Sequence, residues 1–291
     1  MNQYYDKIMD LKEAEELKKV IAKWQTLSEN IKQYPTDAPI ILPDMLWVAK
    51  SGVGKTHLLR LISEYLDAQG NLMSFYGDVK FFEFILNYCS PDMHFTELER
   101  LIEEVKYAAG FRSEFKGIMR IDIDDWLTHF EEKHFISFME YLSSNSDKWL
   151  IILSVSSDEE EKIHNLESFL SMYLRIEKIT LSLPKTENLF EYIKRNLGAY
   201  GISLAEDAVE LLYKTIEELR KNKYFDGFKS IKLMCQDIVY ETYSKEYVEN
   251  KVLCADDLKE FSAGSEYVKK TLKKIQKVNE IGFRLKKEET K

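Results

Sequence analysis

The chain has 291 residues, of which 45% are hydrophobic, 13% aromatic and 31% charged. That length suits about two compact units, and the aromatic content suits a sizeable core, which excludes a chain dominated by disorder. With 11 Gly and 5 Pro it is neither collagenous nor low in complexity, and a net charge of −9 argues against a general phosphate-binding surface, leaving room for a local basic patch. Cys89, Cys235 and Cys254 lack metal-ligand spacing and read as reduced core thiols, so the expected location is cytoplasmic. No apolar run approaches the roughly 18 residues that cross a bilayer, the opening MNQYYDKIMD does not read as a signal peptide, and no membrane partner is expected.

Residues 8–33 space Leu17, Val20, Ile21, Trp24, Leu27 and Ile31 three and four apart, which predicts one amphipathic helix. Pro35, Pro39 and Pro43 break it. Met45-Leu46-Trp47-Val48 reads as a buried strand, and a helix is expected from Thr56 to about Ala68. A second strand is expected over 72–76 and helices over 79–88 and 95–109. Strands over 118–123 and 150–155 alternate with helices over 134–144 and 163–172, and a last strand over 179–183 is ended by Pro184. Beyond it only helices are expected, over 186–197, 205–221, 228–246, 255–262 and 265–280. Alternation implies a parallel sheet with crossover helices, and its loss near residue 185 implies a second, all-α unit. The expected organisation is an N-terminal helical segment (1–38), an α/β domain (39–185), a helical domain (186–262) and a basic C-terminal helix or tail (263–291).

The sharpest motif is Ala49-Lys50-Ser51-Gly52-Val53-Gly54-Lys55-Thr56, which fits A/G-x-x-x-x-G-K-[ST], the phosphate loop of nucleoside triphosphatases. Gly52 and Gly54 let the backbone turn tightly, so that successive N–H groups point at the β- and γ-phosphates. Lys55 adds positive charge to the same oxygens, Thr56 offers a hydroxyl to Mg²⁺, and the helix opening there aims its positive dipole end at the anion. His57 follows on that helix. An apolar run before the loop and an amphipathic helix after it are the context the motif demands. Ala49 stands where the commonest version has Gly, and ATP with Mg²⁺ is the expected ligand.

Such a loop needs an acid on a second strand for the metal's shell. The candidate is Ile118-Met119-Arg120-Ile121-Asp122-Ile123-Asp124-Asp125. In the preferred register Asp124 acts on the metal through its water and Asp125 orients the attacking water. In a rival register Asp122 is the metal residue, Ile123 takes the water-activating position and hydrolysis is crippled. A plainer alternative makes Asp125 a helix cap at an acidic turn. Arg120 and Asp122, two apart in a strand, share a face and can pair.

No N-K-x-D guanine signature and no LSGGQ-like stretch occurs. The order of phosphate loop, acid pair, a strand ending Ser154-Val155-Ser156-Ser157, then Leu174-Arg175-Ile176 and a helical segment resembles the AAA+ ATPases. The stretch from Glu218 to Lys232, with Phe225-Asp226-Gly227-Phe228-Lys229, resembles the lid of the CbxX and sporulation stage V protein K branch. The resemblance implies an α/β fold, a parallel-sheet P-loop NTPase domain followed by an all-α lid. It implies Ser154 or Ser156 as the polar sensor of the γ-phosphate, and Arg175 as an arginine finger reaching a neighbouring subunit. Lys229 takes the second sensor position, where the family usually has Arg, and so gives up bidentate geometry. Plain readings remain for each: a strand-end serine, a surface arginine. Phe81, Phe82 and Tyr107 are better explained by packing than as a substrate-threading pore loop.

The tail from Ser265 is rich in lysine and could dock on a partner or approach nucleic acid, although a solvated helix packed on the lid with a frayed end explains its charge better. The five histidines show no metal spacing. The expectation is therefore a homo-oligomeric ATPase that remodels or switches an unidentified protein client. The alternatives are a nucleotide-gated scaffold with little or no hydrolysis, a DNA-associated initiator or loader that the negative charge disfavours, and, more weakly, a small-molecule kinase.

Overall fold

The structure is a computed structural model that describes residues 2–36, 40–72, 80–88, 117–145, 149–222, 225–244 and 251–270. These divide into two units: Met1–Lys50 with Gly54–Ser182, and Ser51–Val53 with Leu183–Lys291.

In the first unit, β1 (Asp44–Ala49), β2 (Lys80–Ile85), β3 (Gly117–Asp122), β4 (Trp149–Val155) and β5 (Ile176–Leu181) form one sheet in the order β2-β3-β4-β1-β5. All four pairings are parallel. β4, Trp-Leu-Ile-Ile-Leu-Ser-Val, is buried along its whole length, as a strand covered on both faces must be. One face carries Leu46, Met119, Ile121, Ile151, Leu153 and Val155. It packs against Phe135, Phe138 and Leu142 of α4 (Lys133–Ser143) and Leu166 and Leu170 of α5 (Glu160–Leu170). The connection leaving β1 runs toward β2, whereas the one leaving β4 runs past β1 to β5. The strand order therefore reverses between β1 and β4, and the carboxyl ends of those strands are where such sheets place a ligand.

Three helices complete this unit among the described residues: α1 (Gln3–Met9), α2 (Glu15–Gln33) and α3 (Lys55–Gln69). The single helix expected over 8–33 is thus two. Asn2 caps α1 by accepting the Tyr4 N–H at 3.0 Å, and α1 ends at Asp10. The stripe of Leu17, Val20, Ile21 and Trp24 lies wholly in α2, so its periodicity carried no information about the break before Ala14.

The helix expected over 79–88 is instead the edge strand β2. Lys-Phe-Phe-Glu-Phe-Ile is rich in aromatics, which fit a pleated surface, and a run this short cannot display a helical period. The strand over 72–76 falls, beyond Leu72, outside the described residues. So do the helix over 95–109, Cys89, Tyr107 and everything after residue 270. β5 begins three residues earlier than expected, at Ile176.

The second unit holds α6 (Thr186–Ala199), α7 (Glu206–Arg220) and α8 (Gly227–Tyr243) around Leu189, Ile193, Leu197, Leu212, Ile216, Ile231 and Ile238. It is not purely helical. β6 (Ser203–Leu204) and β7 (Val252–Leu253) make a two-residue parallel pair, and 256–261 is a 3-10 turn rather than an α-helix. Among the described residues no helix is long and apolar enough to cross a membrane.

Candidate functional site

The turn after β1 needs its glycines. Gly54 sits at φ 96° and Gly52 at φ 78°, in the left-handed region where other residues are strained. Within the second unit, a Cβ on Gly52 would lie 1.7 Å from the Asp226 carbonyl oxygen, and the Gly52 carbonyl accepts the Phe228 N–H at 3.0 Å. α3 starts at Lys55 with no side-chain cap and no acid in its first turn. The helix dipole there favours an anion. This chemistry fits a polyphosphate.

Lys55 Nζ donates to the Ala49 carbonyl at 2.8 Å, curling back over the loop. Burial lowers its pKa below the usual lysine value. Asp122 is the strongest charge opposing that shift, and Arg120 adds to it. Thr56 is exposed and its hydroxyl donates to Glu83 Oε2 at 2.8 Å. His57 is exposed, as is Ser51, while Val53 is buried. Lys50 is drawn to Asp158 at 2.8 Å in an exposed ion pair.

β2, β3 and β4 bring a second set of groups to the same end of the sheet. Arg120 stands beside Glu83 in the register, and Asp122 beside Ser154. Arg120 Nε donates to Glu83 Oε1 at 2.8 Å and a terminal nitrogen to Ser154 Oγ at 2.7 Å. The pairing expected between Arg120 and Asp122 is present at 3.5 Å. The Arg120 side chain is only 11% exposed, so these partners offset the cost of burying its charge. Burial raises the pKa of Asp122, and the charge of Asp124 raises it further.

Asp124 opens a short 3-10 turn, and both its oxygens are held by Ser156, through the N–H at 2.5 Å and the hydroxyl at 2.6 Å. Its own N–H donates to Asp122 at 3.3 Å. Asp125 is exposed and accepts the Tyr88 N–H at 3.5 Å.

Lys55, Thr56, Asp122, Asp124, Ser154 and Ser156 thus share the carboxyl end of the sheet. Arg175 does not join them within the chain. It is exposed at the entry to β5, about 20 Å along the strand from the loop, its carbonyl accepting the Asp44 N–H at 2.8 Å. Lys229 is an exposed residue of the second unit, 3.6 Å from the buried carboxylate of Asp226. Sequence reasoning missed Glu83. The signal was a lone acid inside the aromatic run Phe81-Phe82-Glu83-Phe84, although its register beside Arg120 came only from the structure. Among the described residues no three side chains group to hold a metal by themselves. Mg²⁺ ordinarily takes one or two protein ligands together with phosphates, so the Thr56 hydroxyl and a nearby carboxylate fit it.

No family model and no curated protein matches the chain. Solved structures do. A point mutant of Thermotoga maritima RuvB aligns at 15% identity and TM-score 0.50, covering 84% of this chain and 68% of that one. C. elegans PCH-2 aligns at 12% identity and TM-score 0.52, covering 90% and 69%. At such identities the likeness is one of fold. The chain has the α/β fold of the AAA+ P-loop NTPases, a five-stranded parallel sheet flanked by helices and followed by a helical unit.

Proposed function

We propose that the chain is an AAA+ ATPase that binds ATP and Mg²⁺ at the loop of residues 50–56 and hydrolyses the γ-phosphate. The observation that carries this is the uncapped N-terminus of α3, with Lys55 and Thr56 on its first turn, set against the carboxylates at the ends of β3. Loop amides and Lys55 would hold the phosphates, and Thr56 with one carboxylate would hold the metal's shell. Mg²⁺ supplies neutralisation of the charge that develops on the phosphates.

Of the two registers we infer the one with Asp122 in the metal's shell. In its support, Asp122 ends β3 beside Ser154 and is the strongest charge opposing the Lys55 shift, whereas both oxygens of Asp124 are occupied by Ser156. Ser154 is then the polar sensor, and Ser156 fixes Asp124. The family resemblance, including its CbxX and sporulation stage V protein K branch, adds a homo-oligomer with Arg175 acting in trans, Lys229 at the nucleotide and a cytoplasmic protein client. The net charge of −9 disfavours nucleic acid as that client.

The test is ATP binding, turnover and molecular mass measured together. Lys55→Ala is expected to weaken binding at least about a hundredfold, since it removes a charge-assisted contact to phosphate. Asp122→Asn should abolish Mg²⁺-dependent turnover, with Asp124→Asn retaining more of it. Arg175→Ala should keep binding and lose turnover only if subunits share sites. Wild type that binds no ATP overturns the reading. A second reading, a nucleotide-gated scaffold, is favoured by Ile123, which is fully buried and follows Asp122 where a water-activating acid is expected. ATP binding without turnover in the wild type would select it.

A further inference from the structure

We infer that Glu83, on the edge strand β2, is the acid that activates the attacking water, in place of the acid expected at Ile123 just after β3. The inference rests on the ATPase reading above. It is carried by geometry. Glu83 projects from β2 to the first turn of α3, where Oε2 accepts the Thr56 hydroxyl at 2.8 Å. Its other oxygen is held by Arg120 Nε at 2.8 Å, so the carboxylate is clamped and aimed. Its side chain is 25% exposed, enough for a water to reach it, whereas Arg120 behind it is 11% exposed.

The other acids at this end of the sheet are differently engaged. Asp124 is bonded to Ser156, Asp125 to the Tyr88 N–H, and Asp122 to Arg120 and Ser154, and none of these bonds reaches the first turn of α3. Among the hydrogen bonds of the described residues, Glu83 is the acid that touches Thr56. In the step itself, water attacks the γ-phosphorus and forms the new P–O bond. One water proton passes to the Glu83 carboxylate. The bond from the γ-phosphorus to the bridging oxygen breaks, and ADP leaves with its electron pair. The proton returns to solvent, so ATP and water give ADP, inorganic phosphate and H⁺. Arg120 acts through Glu83 and is a positioning residue.

The test is Glu83→Gln in the full chain, with ATP affinity read by titration of a fluorescent ATP analogue with and without Mg²⁺, beside single-turnover hydrolysis. Affinity should stay within about threefold, while hydrolysis falls at least about a hundredfold, the usual span for a lost general base. Because Gln leaves Arg120 short of one charge partner, Glu83→Asp is the companion. It keeps the charge, withdraws the oxygen, and should retain wild-type thermal stability with turnover reduced more than about tenfold. Hydrolysis within threefold of wild type in either variant overturns the inference. So does loss of Mg²⁺-dependent binding in Glu83→Gln, which would make Glu83 a metal residue. Turnover that survives Glu83→Gln overturns this inference alone, whereas wild type that binds ATP without turnover, or fails to bind it, removes the ATPase reading as well.

Discussion

The two units keep their charge in different places. In the first, charged side chains stand on strands inside the sheet. Glu83, Arg120 and Asp122 are only 25%, 11% and 20% exposed and hold one another, and Asp44, at 5%, starts β1. In the second, the ion pairs on α7 are solvent-facing, such as Lys214–Glu210 with both side chains 69% exposed and Lys221–Glu218. An exposed pair gains little because water screens it, whereas a buried charge must be matched or it costs several kcal/mol. The helical unit therefore rests chiefly on its apolar core, with Asp226 as its one buried acid among the described residues, whereas the sheet unit carries a linked polar set.

The largest expected effect is Arg120→Ala. It leaves Glu83 and Asp122 part-buried without their shared cation and should destabilise the first unit by about 3 kcal/mol, read as a lower denaturant midpoint. A change below about 1 kcal/mol would break the contrast, because the buried pairs would then behave as surface ones.

Next is Asp44, whose carboxylate accepts the Ile151 N–H at 2.8 Å and whose pKa is pushed up to about 7 by burial, against the weaker opposite effect of that hydrogen bond. An unfolded Asp ionises near about 4. The folded chain thus holds a proton that the unfolded chain has released. This contribution to stability is fully present below about pH 4 and is lost as pH rises toward 7. Asp44→Asn cannot titrate, so urea unfolding at pH 4.5, 5.5 and 7 should show a flatter decline than wild type. An unchanged slope would remove Asp44 from the polar set.

Smallest is Lys214→Ala on the exposed face of α7, where the melting midpoint should not move measurably. A clear drop would mean that the second unit, too, depends on its ion pairs.

How much was legible depends on how local each feature is. The turn from Ala49 to Thr56 was readable because two glycines, a lysine and a threonine lie within eight consecutive residues, and their backbone needs follow from their identities. β4 was readable because an uninterrupted apolar run has few other uses. The Arg120–Asp122 pair was readable because residues two apart in a strand share a face. β2 was misread, since six residues cannot separate a helical from an alternating pattern. The β6–β7 pair joins residues 203–204 to 252–253, and nothing within either short segment announces the other.

The alternation around β1, α3 and β4, the phosphate-type turn and the acids near β3 were determined by the sequence itself, because each follows from the preferences of neighbouring residues. Only the tertiary structure decided which acid meets which donor. Glu83 lies 27 residues from Thr56 and 37 from Arg120, and they meet because the sheet returns β3 to the side of β2 and carries the first turn of α3 to that edge. Hydrogen bonding falls away within a fraction of an ångström, so partnership is a property of strand register and helix placement, neither of which any local run of residues encodes.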